Sequence, residues 1–383
     1  MGRVDNVTRA AVDPNNLTTA NLKSFGVFTF YSEGITANGA IAAGDLPNFM
    51  FNQKVTGGTG AYTYTPVKYW PNQDGVSTNG SEPYQDVLSF YAYAPYVGLN
   101  DGTDATTATA NGISLSDGTT TYANNTPWGT GSGQSYPKIY YNPNTTNYTK
   151  NIDLLYATPL ENQVKGTVTS KVSLAFKHAM TQIGQTVNIR YLNDKVNSGG
   201  TTGDAVDGTT KVTLQEVYIW IEAGTNTLLT KGWLNLKTGE WTQGADGYSP
   251  AISSYTDAEN VALGIKKTGG SFAGLTNDEV TNANLQLSDF TGFLMIPTYS
   301  DITIKAKVVY TVTTTDAALS GGSSVVSNDI TNSMTLTPAA GKNYIINLVL
   351  GLTSLKLDAT VTDWADSTPA TEGEINLPNN TNP

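Results

Sequence analysis

The sequence predicts an all-β protein built as two β-sandwiches in tandem. Three observations carry that expectation. Charged residues make up only 14% of 383 positions while Gly and Tyr are abundant, with 38 and 21 copies, and Thr, Asn and Ser fill much of the rest; that is the balance of a chain of many short strands and turns. Apolar residues recur at every second position in about a dozen segments, and period two marks a strand with one buried face. No stretch shows a convincing 3.6-residue period, and short helices fit only residues 255–266 and 275–284.

Taken in order, residues 1–21 are polar with a modest alternation, and read as an N-terminal detachable segment. Ser24–Tyr31 (SFGVFTFY) is the first clear strand. Phe25, Val27 and Thr29 share one face and Phe28 and Phe30 the other, so both faces ask for cover. Asn48–Lys54 and Gly60–Tyr69 follow, joined by a hairpin signal at Gly57–Gly60 and ended by Trp70-Pro71. Val87–Tyr93 is a strand closed by Pro95. Residues 98–150 are a long Gly-, Asn- and Thr-rich stretch of the kind that carries function or flexibility. Ile152–Tyr156 is a strand, and Pro159–Gly166 reads as a link. The boundary is therefore placed between a first sandwich, 22–163, and a second, 164–364.

The second half opens with Lys171–Gln182, in which Val172, Leu174, Phe176, His178 and Met180 alternate. Thr186–Tyr191 is its expected neighbour. Lys211–Ile221, a Trp233–Trp241 hairpin bent at Lys237–Gly239, Asp289–Pro297 and Asp301–Val312 follow. Lys342–Trp364 is the strongest pattern in the chain. Tyr344, Ile346, Leu348 and Leu350 form one face, Leu355, Leu357, Ala359 and Val361 another, with a short turn between. Residues 365–383 are a polar tail with one apolar island, Ile375 and Leu377. That tail is too poor in apolar side chains for a core of its own, so its partner is expected elsewhere, on another molecule.

Composition excludes several classes. The formal net charge is −11, which disfavours nucleic acid and anionic membranes. No 18-residue apolar run is present, so no helical span is expected. The absence of cysteine removes disulfides, thiolate metal sites and thiol nucleophiles. His178 is the single histidine, and its place between Phe176 and Met180 suits a buried structural role. No triad or zinc set can be assembled around it, and no local carboxylate pair suggests glycoside hydrolysis. The loops Asn100–Asp104 and Asp204–Gly208 lack EF-hand spacing and read as turns. No enzyme, cofactor or metal is expected. Met1-Gly2 leads into polar residues, so the targeting segment is expected to have been removed.

Four segments carry a resemblance. SFYAYAP (Ser89–Pro95), IDLLYA (Ile152–Ala157), VSLAFKHAM (Val172–Met180) and LDATVTDW (Leu357–Trp364) resemble, in order and spacing, the fimbrillin-like proteins, subunits of type V fimbriae of Bacteroidales. The resemblance implies two transthyretin-like, Greek-key sandwiches. It implies export as a lipoprotein anchored to the outer membrane through a lipidated cysteine upstream of this chain. It also implies polymerisation by donor-strand exchange: an Arg-specific protease removes an N-terminal strand, and the vacated groove accepts a strand from another fimbrial subunit.

Arg9 matches the cleavage position. The candidate donor residues are Leu355, Leu357, Ala359, Val361, Trp364, Ile375 and Leu377. A second reading is a tip or accessory adhesin that binds host or bacterial glycans or proteins through the 98–150 loops. Trp128, Tyr136, Tyr140 and Tyr141 are its candidate stacking platform, set against the alternative that they pack the sandwich edge.

Overall fold

The computed structural model describes residues 22, 24–32, 47–57, 62–71, 74–76, 83–98, 112–115, 136–142, 152–163, 171–192, 209–222, 231–243, 264–268, 285–287, 292–298, 300–364 and 373–377. All regular structure among them is β. The first strands are β1 (Ser24–Ser32), β2 (Met50–Gly57), β3 (Tyr62–Thr63), β4 (Asp74–Val76), β5 (Pro83–Gln85), β6 (Val87–Ala94), β7 (Ile113–Ser114) and β8 (Lys138–Tyr141). Next come β9 (Leu155–Ala157), β10 (Leu160–Gln163), β11 (Lys171–Leu174), β12 (Phe176–His178), β13 (Thr181–Tyr191), β14 (Thr210–Glu222), β15 (Gly232–Asn235) and β16 (Trp241–Gln243). The last are β17 (Gly264–Thr268), β18 (Leu285–Leu287), β19 (Phe293–Met295), β20 (Ile302–Thr315), β21 (Ser323–Leu336), β22 (Lys342–Leu350), β23 (Leu355–Asp363) and β24 (Gly373–Asn376).

A seven-stranded sheet, ordered β12-β9-β6-β1-β2-β3 with β10 beside β6, organises the first part. β1 is buried along most of its length because both of its faces are covered. Phe25 and Val27 join Leu88, Phe90 and Ala92 of β6 in one core. Phe28 and Phe30 join Tyr91 and Tyr93 in a second core on the opposite face. The sheet β16-β15-β8-β7 covers that second face. The pair β11-β24 lies over the first.

Close approach fixes one glycine at the centre of this sheet. A Cβ added at Gly26 would lie 2.7 Å from Tyr93 Cζ and 2.8 Å from Asn52 Oδ1. Neither neighbour can yield. Tyr93 is fully buried, its hydroxyl donates to Asn52 Oδ1 at 2.7 Å, and Asn52 Nδ2 donates to the Val97 carbonyl at 2.9 Å. Gly26→Ala is therefore expected to destabilise the protein by about 1–3 kcal/mol, the cost of overpacking. A denaturant midpoint checks it, and an unchanged midpoint would refute the close packing.

The second part is a sandwich. The sheet β18-β13-β22-β23, with β19 also on β13, packs on the sheet β17-β14-β20-β21. Ile346, Leu348 and Leu350 from β22 meet Leu214, Ile219, Ile304 and Val308 from the facing sheet. The C-terminal segment forms the expected pair of strands, in the register Lys342↔Asp363 to Leu350↔Leu355. Its turn is closed by Gly351 N–H donating to the Ser354 carbonyl at 2.8 Å.

The expected boundary at 163/164 does not divide the described sheets. β12 pairs with β9 of the first sheet. β15 pairs with β8, from Gly232↔Tyr141 to Asn235↔Lys138. The chain first passes to the second sandwich at Ala179–Met180, between β12 and β13, and returns for β15, β16 and β24. At the first passage Ala179 N–H donates to the Leu154 carbonyl at 2.9 Å, while the Met180 carbonyl accepts from Gly341 N–H at 2.9 Å.

Two pairings also differ from expectation. Lys171–Gln182 breaks at Ala175 and again at Ala179–Met180, into β11, β12 and the start of β13, which serve different sheets. Thr186–Tyr191 lies in β13, which runs parallel to β22 instead of pairing with Lys171–Gln182. Alternation reports that a segment is a strand and which face is buried; it carries no information about which sheet receives it. The described residues of the two candidate helices are 264–266, and they form strand within β17. The rest of both candidates lies outside the described residues.

Candidate functional site: the trough that holds the C-terminal tail

The apolar island of the tail is seated in this chain's own first core. β24 pairs antiparallel with β11 in the register Lys171↔Asn376, Val172↔Ile375, Ser173↔Glu374, Leu174↔Gly373. Ile375 and Leu377 are fully buried. They join Phe25, Leu174, Phe176, Tyr62 and Trp70 in one core. The floor is stiff and aromatic: Phe25 meets both Tyr62 and Phe176 edge-on, with ring centroids 5.3 Å apart in each case. The expectation that the tail's partner is another molecule therefore meets a different arrangement, in which the chain's own β11 is the partner.

The energetics of that seating are balanced. Two buried aliphatic side chains contribute about 3–6 kcal/mol, and each ladder hydrogen bond adds about 0.5–1.5 kcal/mol net. Ordering about five residues costs roughly 5–10 kcal/mol. The opposing totals agree to within a few kcal/mol. A segment held this way is seated by a small net free energy.

The tail departs from a firm anchor. Trp364 directly follows β23, and its N–H donates to the Gly341 carbonyl at 2.8 Å. Its ring stacks on His178, with centroids 4.0 Å apart and planes 4° from parallel. His178 Nδ1 lies 2.6 Å from Asp153 Oδ2. All three side chains are buried. His178 ends β12 of the first sheet and Trp364 directly follows β23 of the second sandwich, so this stack joins the two parts where the tail begins.

The other expected donor residues are placed differently. Leu355, Leu357, Ala359 and Val361 belong to β23, which is paired along its length with β22. Leu355 and Leu357 are buried in the core of the second sandwich, and Val361 is 52% exposed. Among the expected donor residues, Ile375 and Leu377 are the ones on a separate segment beyond the anchor. The acceptor residues Val172 and Leu174 were not expected. Their signal was present in the alternating exposure that KVSL adopts, but it did not identify the partner.

The aromatic platform is corrected by burial. Tyr136, Tyr140 and Tyr141 are 8%, 5% and 0% exposed, packed in the second core. Tyr140 lies against Trp233 at 5.1 Å, and the Tyr141 hydroxyl donates to the Ile152 carbonyl at 2.9 Å. They offer no open face to a sugar.

Tyr136 also borders the ion pair that ties the β15–β16 turn to β10. Lys237 Nζ donates to Glu161 Oε1 at 2.8 Å and to the Tyr136 hydroxyl at 2.9 Å. Burial pushes the Glu161 carboxyl up, but hydrogen bonds from Lys237 and Tyr91 outweigh it and hold the group below its usual range. The pair is about one-third exposed, which limits it to ~0.2–1 kcal/mol.

Arg9, Trp128 and the loops 100–104 and 204–208 lie outside the described residues, as does most of 98–150. Among the described residues, no three His, Asp or Glu side chains gather into a possible metal site.

A family model described as fimbrillin-like matches residues 8–364. The chain belongs to the fimbrillin-like family. It is 23% identical over 394 residues to the fimbrium subunit Fim1C of Phocaeicola vulgatus, covering 98% of this chain and 90% of that protein. Its fold is similar to the crystal structure of a fimbrial protein from Bacteroides vulgatus, with a TM-score of 0.57, 20% identity, and coverage of 89% of this chain and 93% of that one. Membership agrees with the all-β architecture and makes this fimbrillin-like chain a component of a cell-surface appendage.

Proposed function

We propose that this chain is a structural subunit of a surface fimbria that assembles by strand donation. The tail of one subunit leaves its own trough and fills the same trough in the next. The observation that carries the reading is the seating of Ile375 and Leu377 against β11. The chain holds a donor and a matching acceptor at once, which is the requirement for a head-to-tail polymer. In trans the tail would recover the same apolar contacts and ladder bonds it has in cis, the mode known as β-augmentation.

In this reading, cleavage after Arg9 frees the N-terminal segment and commits the subunit to exchange. Other fimbrial subunits are the partners, and a lipid anchor upstream of residue 1 holds the exported precursor at the outer membrane until assembly. Fimbrillin-like membership and the fimbrium-subunit relative support the assembly role.

The test is polymerisation. Purified protein is trimmed with an Arg-specific protease and its mass followed in SDS without boiling. A ladder of multimers is expected, lost on deletion of residues 365–383 and in Arg9→Ala. A chain cut after Arg9 that remains monomeric would overturn the reading.

A further inference from the structure

β21 presents an edge with no strand beside it among the described residues, touched at one point from within the chain, where the Asn332 amide accepts from the Ser333 N–H at 2.8 Å and donates to the Leu355 carbonyl of β23. It is the outermost strand of its sheet among the described residues. Its register to β20 runs from Ile302↔Leu336 to Thr315↔Ser323 without a shift, so its outer row of N–H and C=O groups is unbroken by a bulge. Proteins normally protect such an edge with lysine, proline, a bulge or shortness. The 14 residues SSVVSNDITNSMTL have none of these. Their one charge, Asp329, is met at 3.2 Å by Lys307 of β20. The adjacent Val325 and Val326 point to opposite faces, yet are 64% and 52% exposed.

We propose that this edge pairs with the same edge of a second copy, antiparallel across a two-fold axis. The self-complementary chemistry of the strand selects the occupant. With Ile330 on the axis, residues 324–336 of each copy are paired. Val326 then faces Met334, Asn328 faces Asn332, Ser327 faces Ser333 and Asp329 faces Thr331. With Asp329 on the axis the overlap is equal, but two like charges stand opposite each other, which is unfavourable. The chain carries a net charge of −11, and two copies that meet here do so along a strip whose one carboxylate is already paired.

The area sets the strength. Thirteen residues at ~3.4 Å make a strip about 44 Å long, which at roughly 10 Å width covers on the order of 900 Å² over both copies. That lies below a standard interface, so free subunits pair weakly, and repeated contacts along two filaments add. The contact is lateral and stands independently of tail exchange.

Cysteine cross-linking of the full chain tests it, since the native sequence contains none. Ser327 and Ser333 are both exposed, so S327C/S333C keeps the fold. Within one chain the two positions are about 20 Å apart along the strand, too far for a disulfide. Under mild oxidation the double variant is expected to give a reductant-sensitive dimer and nothing longer. Neither single variant gives it, and adding Val326→Lys lowers its yield at least tenfold. A double variant that stays monomeric, single variants that cross-link equally well, or a reductant-sensitive ladder would each overturn the proposal. Strand-donated multimers resist reductant, so the two assemblies are read separately.

Discussion

Trp364→Ala is expected to destabilise the chain by about 3–5 kcal/mol, the range for deleting a large buried aromatic side chain. The loss exceeds ordinary area bookkeeping because of what the ring covers. It lies flat on His178 at 4.0 Å, and His178 is held by Asp153 at 2.6 Å. Removing the indole leaves a cavity beside a buried polar couple. Water entering it would weaken the pairing, and an empty cavity would forfeit the dispersion contacts.

The denaturant midpoint measures the cost. The single histidine supplies an independent readout, because a proton stacked beneath an indole is shifted upfield by the ring current. In the variant that shift disappears and the tail's base loosens, so amide exchange at residues 373–377 rises as well. A loss below ~1 kcal/mol with an unchanged histidine signal would show that the stack does not join the two parts.

How much of this was legible depends on the range of each interaction. The β22–β23 pair was readable as two strands joined by a turn, because the turn is short and both strands alternate. β1 was readable as doubly covered, because Phe25 and Val27 alternate with Phe28 and Phe30. Tyr136, Tyr140 and Tyr141 were ambiguous. They stand in a loop-like composition, and the strand that covers them, Gly232–Asn235, is distant in sequence. Local pattern cannot announce a pairing whose other half is so remote. Gly26 was silent for a related reason, since its role exists only once Tyr93 and Asn52 are brought across from neighbouring strands. The tail was half legible. Apolar residues at 375 and 377 in a polar segment say that a trough is required. They do not say whose, and Val172 and Leu174 alternate no differently from any other strand.

Ile375→Asp is expected to empty the trough. The side chain is fully buried among aromatic and aliphatic groups, and an unpaired carboxylate there costs far more than the docking of the tail returns. The cheapest response is local: the tail leaves and the sheets stay. Protection of amides 373–377 should fall to that of free chain, and a Glu-specific protease should cut after Glu374, while the global unfolding free energy falls by less than about 3 kcal/mol.

Paired with Val172→Asp, the same variant isolates donor from acceptor. The first chain keeps a sound trough but has no usable tail. The second keeps a sound tail but has a spoiled trough, since Val172 stands opposite Ile375. After trimming at Arg9 neither forms a ladder alone, because each lacks one half of the joint. Mixed in equal amounts, the tail of the second enters the trough of the first, and no further joint can form. A single dimer band, with nothing above it, is the expected result. A ladder from either variant alone would place the joint elsewhere. No dimer from the mixture, with both variants folded, would confine the β11–β24 pairing to one chain.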